Sequence, residues 1–142
     1  MNDFSSAPGK EGRPVVAIDP GRDKCGVAVV FRTGRVAEQA VVPRADLMAA
    51  IEDLARRHHP ATLVVGDRTG SKECRRELGA RGLGPIVTVE EHETTQRARA
   101  RYFRDHPPRG LRRLMPQGML SPPRPIDDYA AILLAEIYWT AK

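Results

Sequence analysis

Three short motifs place carboxylates where a folded chain could use them for catalysis. Asp19 ends an apolar segment, Glu91 closely follows another, and Asp127 and Asp128 open a third. Each motif alone also fits a simpler role. An Asp in a turn can bond its own backbone, and an acid before a helix interacts with the positive end of the helix dipole. The sequence leaves both roles open for each motif.

Taken together, the three motifs indicate a shared metal site. Carboxyl ends of neighbouring strands in an α/β sheet converge on one crevice. Carboxylates gathered there repel one another unless a cation lies between them. Oxygen-only ligands favour Mg²⁺ or Mn²⁺ over zinc. Two such ions at roughly 4 Å can stabilise the attacking and leaving oxygens of a phosphodiester. We therefore expect Mg²⁺ or Mn²⁺ as the cofactor, with two ions bound.

The positive charge of the chain is concentrated near these motifs. The formal net charge is +5, and residues 94–124 contain eight arginines but only one acid, Asp105. A concentrated positive field implies a polyanionic partner, most commonly nucleic acid. We expect these arginines to hold its backbone: Arg97, Arg101, Arg104, Arg109, Arg112, Arg113 and Arg124.

The elements that must position these residues follow from the apolar pattern. It predicts strands at residues 15–18, 25–31, 35–42, 62–65 and 86–89, and helices at 46–57, 71–78, 94–105 and 127–140. The first three strands are joined by tight turns and must be antiparallel, whereas strands joined through helices should be parallel. The last helix is apolar on nearly every face, which is typical of a buried helix. The pattern predicts an α/β domain with a mixed sheet.

The length and composition bound the organisation of the chain. Its 142 residues fit one domain, and 41% hydrophobic and 29% charged residues are an ordinary globular balance. We expect residues 1–13 to form a flexible arm and 14–142 a single nuclease domain, with a Pro- and Arg-rich loop at 106–125. The two cysteines form no disulfide framework, and no apolar run is long enough to span a membrane. These features predict a soluble, cytoplasmic protein.

The motifs in this order resemble the YqgF/RuvX family, which is related to RuvC-type Holliday junction resolvases and has the ribonuclease H-like fold. The resemblance covers residues 15–139. It depends on Asp19-Pro20-Gly21 followed by Gly26-Val27-Ala28, on Glu91 followed by Thr94-Thr95, and on Ile126-Asp127 with Ala130-Ala131. The chain differs from the commoner pattern after the fourth strand, where Gly66-Asp67-Arg68 replaces Gly-Leu-Pro. It differs again where Glu90-Glu91-His92 replaces Asp-Glu-Arg.

The resemblance implies a five-stranded mixed sheet, with three antiparallel and then two parallel strands, flanked by helices. It implies Asp19, Glu91 and Asp127 as catalytic metal ligands, with Asp128 either a fourth catalytic carboxylate or the replacement for Asp127.

The activity that the resemblance implies is metal-dependent hydrolysis of phosphodiester bonds in structured nucleic acid. The substrate would be the 5′ end of pre-16S ribosomal RNA or a Holliday junction. Symmetric cutting of a four-way junction requires two active sites and hence a homodimer, whereas one RNA end requires only a monomer. The alternative is a non-catalytic RNA- or DNA-binding module with a vestigial metal site.

Overall fold

The computed structural model describes residues 11–68, 70–90, 94–107 and 126–141. The strands are β1 (Val15–Asp19), β2 (Lys24–Val30), β3 (Val36–Pro43), β4 (Thr62–Gly66) and β5 (Ile86–Val89). The helices are α1 (Leu47–His58), α2 (Ser71–Ala80), α3 (Thr94–Asp105) and α4 (Asp127–Thr140). A 3₁₀ turn, Arg44–Asp46, precedes α1, so the α-helix begins at Leu47 and not at Asp46 as the sequence pattern predicted.

The five strands form one mixed sheet in the order β3-β2-β1-β4-β5. Strand β2 is antiparallel to both β1 and β3, whereas β4 is parallel to both β1 and β5. The predicted arrangement of three antiparallel and then two parallel strands is therefore confirmed. It follows from the connections, because tight turns reverse the chain and helical crossovers return it in the same direction.

The two faces of the sheet bury different helices because side chains alternate along each strand. Val16 and Ile18 of β1 pack in the core beneath α1 and α2. Val15 and Ala17 of the same strand pack in the core beneath α3 and α4. Small side chains on this second face, including Ala28 of β2, let α4 lie close to the sheet.

Helix α4 is the central element of that second face. All eight residues from Asp128 to Ala135 are buried, and Trp139 donates its indole N–H to the Val30 carbonyl at 3.2 Å. The predicted buried helix is confirmed. Within the part of the chain that the structure describes, no helix is both long enough and apolar enough to cross a membrane.

The predicted arm and loop fall mostly outside the described residues. Residues 1–10 and 108–125 are not among them, so both assignments stay predictions. The last residues of the predicted arm contact the turn between β2 and β3. Glu11 accepts hydrogen bonds there from Thr33 and from the Arg35 guanidinium. Arg13 donates to the carbonyls of His59 and Pro60.

An ionic cluster links the edge strand β3 to the end of α1. Glu38 of β3 contacts both Arg57 and His58 of α1, and Arg57 also binds Asp53. The Arg57 hydrogen bond, followed by that of His58, lowers the pKa of Glu38 to about 2. A carboxyl group with a lowered pKa stabilises the folded state above its unfolded pKa and loses that contribution as the pH falls through its folded pKa.

We therefore predict that Glu38→Gln destabilises the protein at pH 6, and that the difference from wild type disappears between about pH 4.5 and pH 2. The loss should be at most about 1 kcal/mol, because the Glu38 side chain is 38% exposed and water screens the pair. Urea unfolding at a series of pH values measures it. A difference that stays constant down to pH 2 would contradict the assignment.

Candidate active site

The candidate site lies at the end of the sheet formed by the carboxyl ends of the parallel strands, which is called the sheet edge below. Val65 of β4 pairs with Ile18 of β1, so the next residues of both strands lie at one edge. Acids follow there on three adjacent strands: Asp19 ends β1, Asp67 follows β4 and Glu90 follows β5. The expected convergence of carboxyl ends is therefore present in the described part of the chain.

Gly26 brings the start of α4 to the same edge. It pairs with Asp19 across β1 and β2, so the two residues share one face of the sheet. A Cβ atom built on Gly26 would lie 1.8 Å from the Asp127 carbonyl oxygen and 2.7 Å from the Asp128 nitrogen. No other residue fits there, because real Cβ contacts do not fall below about 3 Å. The first turn of α4 thus rests directly on the backbone beside Asp19.

The buried thiol of Cys25 lies within electrostatic range of both Asp19 and Asp127. Burial is the main cause that raises its pKa, and the negative charges of Asp19 and Asp127 both add to the increase. The Cys25 sulfur also accepts a hydrogen bond from the Gly21 N–H at 3.4 Å. This small core residue therefore supports the turn that follows Asp19 from below.

Asp127 lies in an environment that opposes its negative charge. It is partly buried, and burial is the largest cause that raises its pKa. The neighbouring charge of Asp128 raises that pKa further, whereas the ammonium of Lys24 lowers it. A bound cation would act in the same direction as Lys24, favouring the carboxylate form.

Asp128 is placed differently from its neighbour. Asp128 is buried, with only 3% of its surface exposed. Its Oδ2 atom accepts a hydrogen bond from Gln39 Nε2 of β3 at 2.9 Å. The sequence left open whether Asp127 or Asp128 is the main ligand. The bond from Gln39 to Asp128 fixes the first turn of α4 over the sheet, and the choice of main ligand stays a prediction.

Glu91, the third predicted ligand, lies outside the described residues. The residue before it, Glu90, is exposed and follows β5 directly. Among the residues that the structure describes, no three His, Cys, Asp or Glu side chains lie close enough together to hold a metal. Asp19 and Asp127 offer only oxygen atoms as ligands, which is the ligand type that a hard divalent cation prefers. The described residues contribute two of the three predicted ligands.

The predicted nucleic-acid arginines fall into three groups. Arg97 and Arg104 of α3 are exposed. Arg101 forms an ion pair with Glu136 of α4, with only 19% of its side chain exposed, so it also joins the two helices. The remaining four lie outside the described residues: Arg109, Arg112, Arg113 and Arg124. A single sequence could not reveal the Glu136 partner, because the two residues meet only once the helices pack.

A cleft of about 930 Å³, which no sequence motif predicted, opens beside Asp19. We call it the α2 cleft. It is lined by residues 19–22 after β1, by residues 44–48 at the start of α1, by Arg68 and Gly70 after β4, and by residues of α2. The only signal in the sequence was the unusual Asp67-Arg68 pair after β4.

Comparison with solved structures identifies the fold. The chain superposes on Thermus thermophilus RuvC with a TM-score of 0.54 and 16% identity, covering 90% of this chain and 94% of RuvC. It superposes on T. thermophilus RuvC in complex with a Holliday junction substrate with a TM-score of 0.50 and 18% identity, covering 89% and 94%. The fold is ribonuclease H-like. The predicted fold class is therefore confirmed.

Comparison with curated sequences gives only a partial match and identifies no family. Protein tex of Bordetella pertussis is 37% identical over 75 residues, which cover 47% of this chain. The chain spans about a tenth of the length of that relative, because the match covers 10% of it. No protein-family model matches the sequence. Membership of the YqgF/RuvX family stays a prediction, whereas structural similarity to RuvC is a finding.

We predict that Gly26→Ala lowers stability by more than about 3 kcal/mol, because the new Cβ collides with the backbone of Asp127. Gly79→Ala in α2 is the matched control, since a Cβ there meets nothing within 4 Å. Alanine favours a helix over glycine by about 0.5–1 kcal/mol. Gly79→Ala should therefore be neutral or stabilising. Thermal unfolding of both variants measures the difference, and equal effects would contradict the close packing of α4.

Proposed function

We propose that this protein is a divalent-metal-dependent nuclease that hydrolyses phosphodiester bonds in structured nucleic acid. The single observation that supports it most is the contact of the α4 first turn with Gly26, because it brings the backbone of Asp127 against the residue that pairs with Asp19. Two acids on different elements at the open end of a ribonuclease H-like sheet have no evident structural need to be neighbours. A shared cation gives them one.

Asp19 and Asp127 would hold the metal, with Glu91 as the third ligand. Mg²⁺ and Mn²⁺ both suit such oxygen donors. Divalent ions at this place supply electrostatic stabilisation of the charge that develops on the attacking and leaving oxygens of a phosphodiester. Two ions are proposed because the hydrolysis has both an attacking and a leaving oxygen, and each would be stabilised by one ion.

The residues of this chain have three tasks in that reaction. Asp19 and Asp127 hold their carboxylates on a strand end and a helix start, which keeps their separation constant. Asp128 acts as a positioning residue, because its bond to Gln39 fixes the helix turn that bears Asp127. Lys24 is near Asp127 and partly balances its charge when no cation is bound.

Arginines of α3 and of the segment that follows it would hold the nucleic-acid backbone. Arg97 and Arg104 are exposed on α3, but Arg97 lines a pocket with Val30 at the end of the sheet opposite Asp19. The Arg-rich segment 108–125 joins α3 to the helix that bears Asp127. Each arginine on a duplex phosphate releases counterions, so binding should weaken as salt is raised. We propose the arginines of this segment, Arg109, Arg112, Arg113 and Arg124, as backbone contacts together with those of α3.

The substrate class that we propose is branched DNA or structured RNA, such as the 5′ end of pre-16S ribosomal RNA. A protein of this fold, T. thermophilus RuvC, is known in complex with a Holliday junction, which supports branched DNA. For that substrate the active form would be a homodimer, because two strands are cut symmetrically. We propose that the protein acts in the cytoplasm.

The test is cleavage of a labelled four-way DNA junction and of a structured RNA with a 16S precursor 5′ end, each with Mg²⁺ or Mn²⁺. Asp19→Asn and Asp127→Asn should each reduce cutting at least about 100-fold, because each removes a ligand charge. Both should bind substrate within about threefold of wild type. Asp23→Asn, in the exposed turn that follows Asp19, is the matched control and should cut normally.

The outcomes separate the two candidate functions. Cutting that needs a divalent ion and both aspartates would support the nuclease, and the substrate that is cut would decide between junction and RNA. Normal cutting by Asp19→Asn would overturn the site. Binding of both substrates without any cutting would overturn the nuclease and leave the non-catalytic binding module.

A further inference from the structure

The pocket that Arg97 lines is a groove of about 640 Å³ at the end of the sheet opposite Asp19. We call it the distal groove. It is lined by Val30 of β2, by residues 32–34 of the turn that follows β2, by Arg97 of α3 and by the last turn of α4. Val30 pairs with the first residue of β1, whereas Asp19 is the last residue of that strand. Four residue steps of about 3.3 Å separate the two ends by about 13 Å, so the distal groove is separate from the candidate active site.

The wall that α4 contributes to the distal groove is mainly apolar and is held in place. Trp139 is half-buried against the core, and its indole N–H donates to the Val30 carbonyl at 3.2 Å. Ile137 packs against the same core, and the Thr140 hydroxyl donates to the Glu136 carbonyl at 2.7 Å. Because these donors are already used, Trp139 offers a ligand the surface of its ring. A ring that is already fixed loses little further freedom when a planar group stacks on it.

The turn between β2 and β3 contributes one available charge. The Thr33 hydroxyl donates to Glu11 at 3.0 Å. The Arg35 guanidinium binds the same carboxylate and lies over the Phe31 ring at 4.3 Å from its centroid. Arg32, by contrast, is exposed, and no hydrogen bond or ion pair ties its side chain to the residues that the structure describes. Its guanidinium can therefore bind a ligand without breaking another contact.

Arg97 contributes a second available charge to the distal groove. It is exposed on α3 and forms no ion pair within the described part of the chain. Glu136, the carboxylate among the described lining residues, is already paired with Arg101. The groove thus combines an apolar aromatic wall with two guanidiniums whose charge no acid of the described residues balances.

We propose that the distal groove binds one unpaired nucleotide of a nucleic-acid strand. The base stacks on Trp139, and Arg32 and Arg97 bind the phosphate oxygens. Arginine suits this task because its planar donors can bind two phosphate oxygens at once. The last carbonyls of α4 form the negative end of that helix, so they favour a phosphate that lies toward the guanidiniums and a base that lies toward the helix.

A nucleotide matches both halves of the distal groove, whereas simpler ligands match one. A small inorganic anion gains nothing from the aromatic wall, and an apolar peptide segment leaves both arginines unbalanced. A base within a duplex is stacked between its neighbours, so the bound base must be unpaired. The eight arginines among residues 94–124 favour a polyanionic strand over a free nucleotide.

This inference rests on the nucleic-acid partner of the proposed function, but not on cutting. It extends that function, because the distal groove would favour substrates that have a single-stranded segment beside their structured part. The distal groove and the candidate active site would then bind different parts of one substrate.

The test uses the intrinsic fluorescence of Trp139, since the chain has one tryptophan. The Asp19→Asn protein is titrated with oligothymidylate in the absence of divalent ions, which prevents cutting. Stacking of a base on the indole ring should quench its emission. The quenching should follow the same binding curve as the anisotropy of a labelled strand measured in parallel. A blunt duplex of equal length should bind without quenching.

The two arginines are tested by substitution in the same background. Arg32→Gln and Arg97→Gln should each weaken the binding that quenching reports about fivefold near 0.1 M KCl. Each should also make the slope of log K against log[KCl] shallower by about 0.7, the value for one single-strand phosphate contact. Arg76→Gln is the matched control, because Arg76 is an exposed arginine of α2 that does not line the groove. A control that loses as much as the two variants would mean general charge loss and overturn the site.

The ring is tested by two substitutions that both remove the hydrogen bond to Val30. Anisotropy should show that Trp139→Leu binds the strand about tenfold more weakly, whereas Trp139→Phe, which keeps an aromatic ring, stays within about threefold of the background. Equal losses in the two variants would contradict stacking. The arginine variants test the site even if Trp139→Leu fails to fold.

The remaining outcomes each overturn the site. Strand binding without a change in Trp139 emission would mean that the strand binds elsewhere. Equal quenching by thymidine monophosphate would make the groove a pocket for free nucleotides, and an emission change with protein concentration alone would make it an interface between two copies. No step requires cutting. A protein that never cuts but shows the quenching keeps this site and loses the nuclease, and a protein that cuts without it does the reverse.

Discussion

The candidate site depends on one glycine, Gly26, which has no side chain to keep α4 away from the sheet. At Gly26 the backbone of α4 approaches β2 so closely that even a methyl group would lie within 1.8 Å of the Asp127 carbonyl oxygen. This contact sets the height and direction of a helix whose next two turns are fully buried. Small residues at Ala17 and Ala28 extend the same close approach along the sheet. Packing therefore decides where the two candidate ligands meet.

Electrostatics acts on this fixed geometry. The close approach places Asp127 in a partly buried position that raises its pKa, and Asp128 adds to the effect. Asp128 is buried and accepts a hydrogen bond from Gln39, whereas Asp127 is only partly buried and lies near Lys24. Two adjacent acids in the sequence thus obtain different environments.

Much of the fold follows from local signals in the sequence. Short apolar runs, tight turns and helical spacing located the five strands and four α-helices of the described residues, because strands such as β1, β2 and β4 are buried on both faces and therefore form continuous apolar runs. The tertiary pairs were not predictable. Arg101 meets Glu136, and Asp128 meets Gln39, only after α3, α4 and β3 pack together. The α2 cleft was missed for the same reason, since Arg22 and Arg68 are 46 positions apart in the chain and line one cleft only once β1 and β4 pair in parallel.

A cation shared by Asp19 and Asp127 would make the two carboxylates act as one site. Electron paramagnetic resonance of Mn²⁺ tests this directly, because the signal of free Mn²⁺ falls as the ion binds. Asp19→Asn and Asp127→Asn should each weaken Mn²⁺ binding, and the double variant should bind little more weakly than either single one, because the first substitution already removes the shared site. Affinities that fall independently and additively, or that remain at the wild-type value, would contradict it.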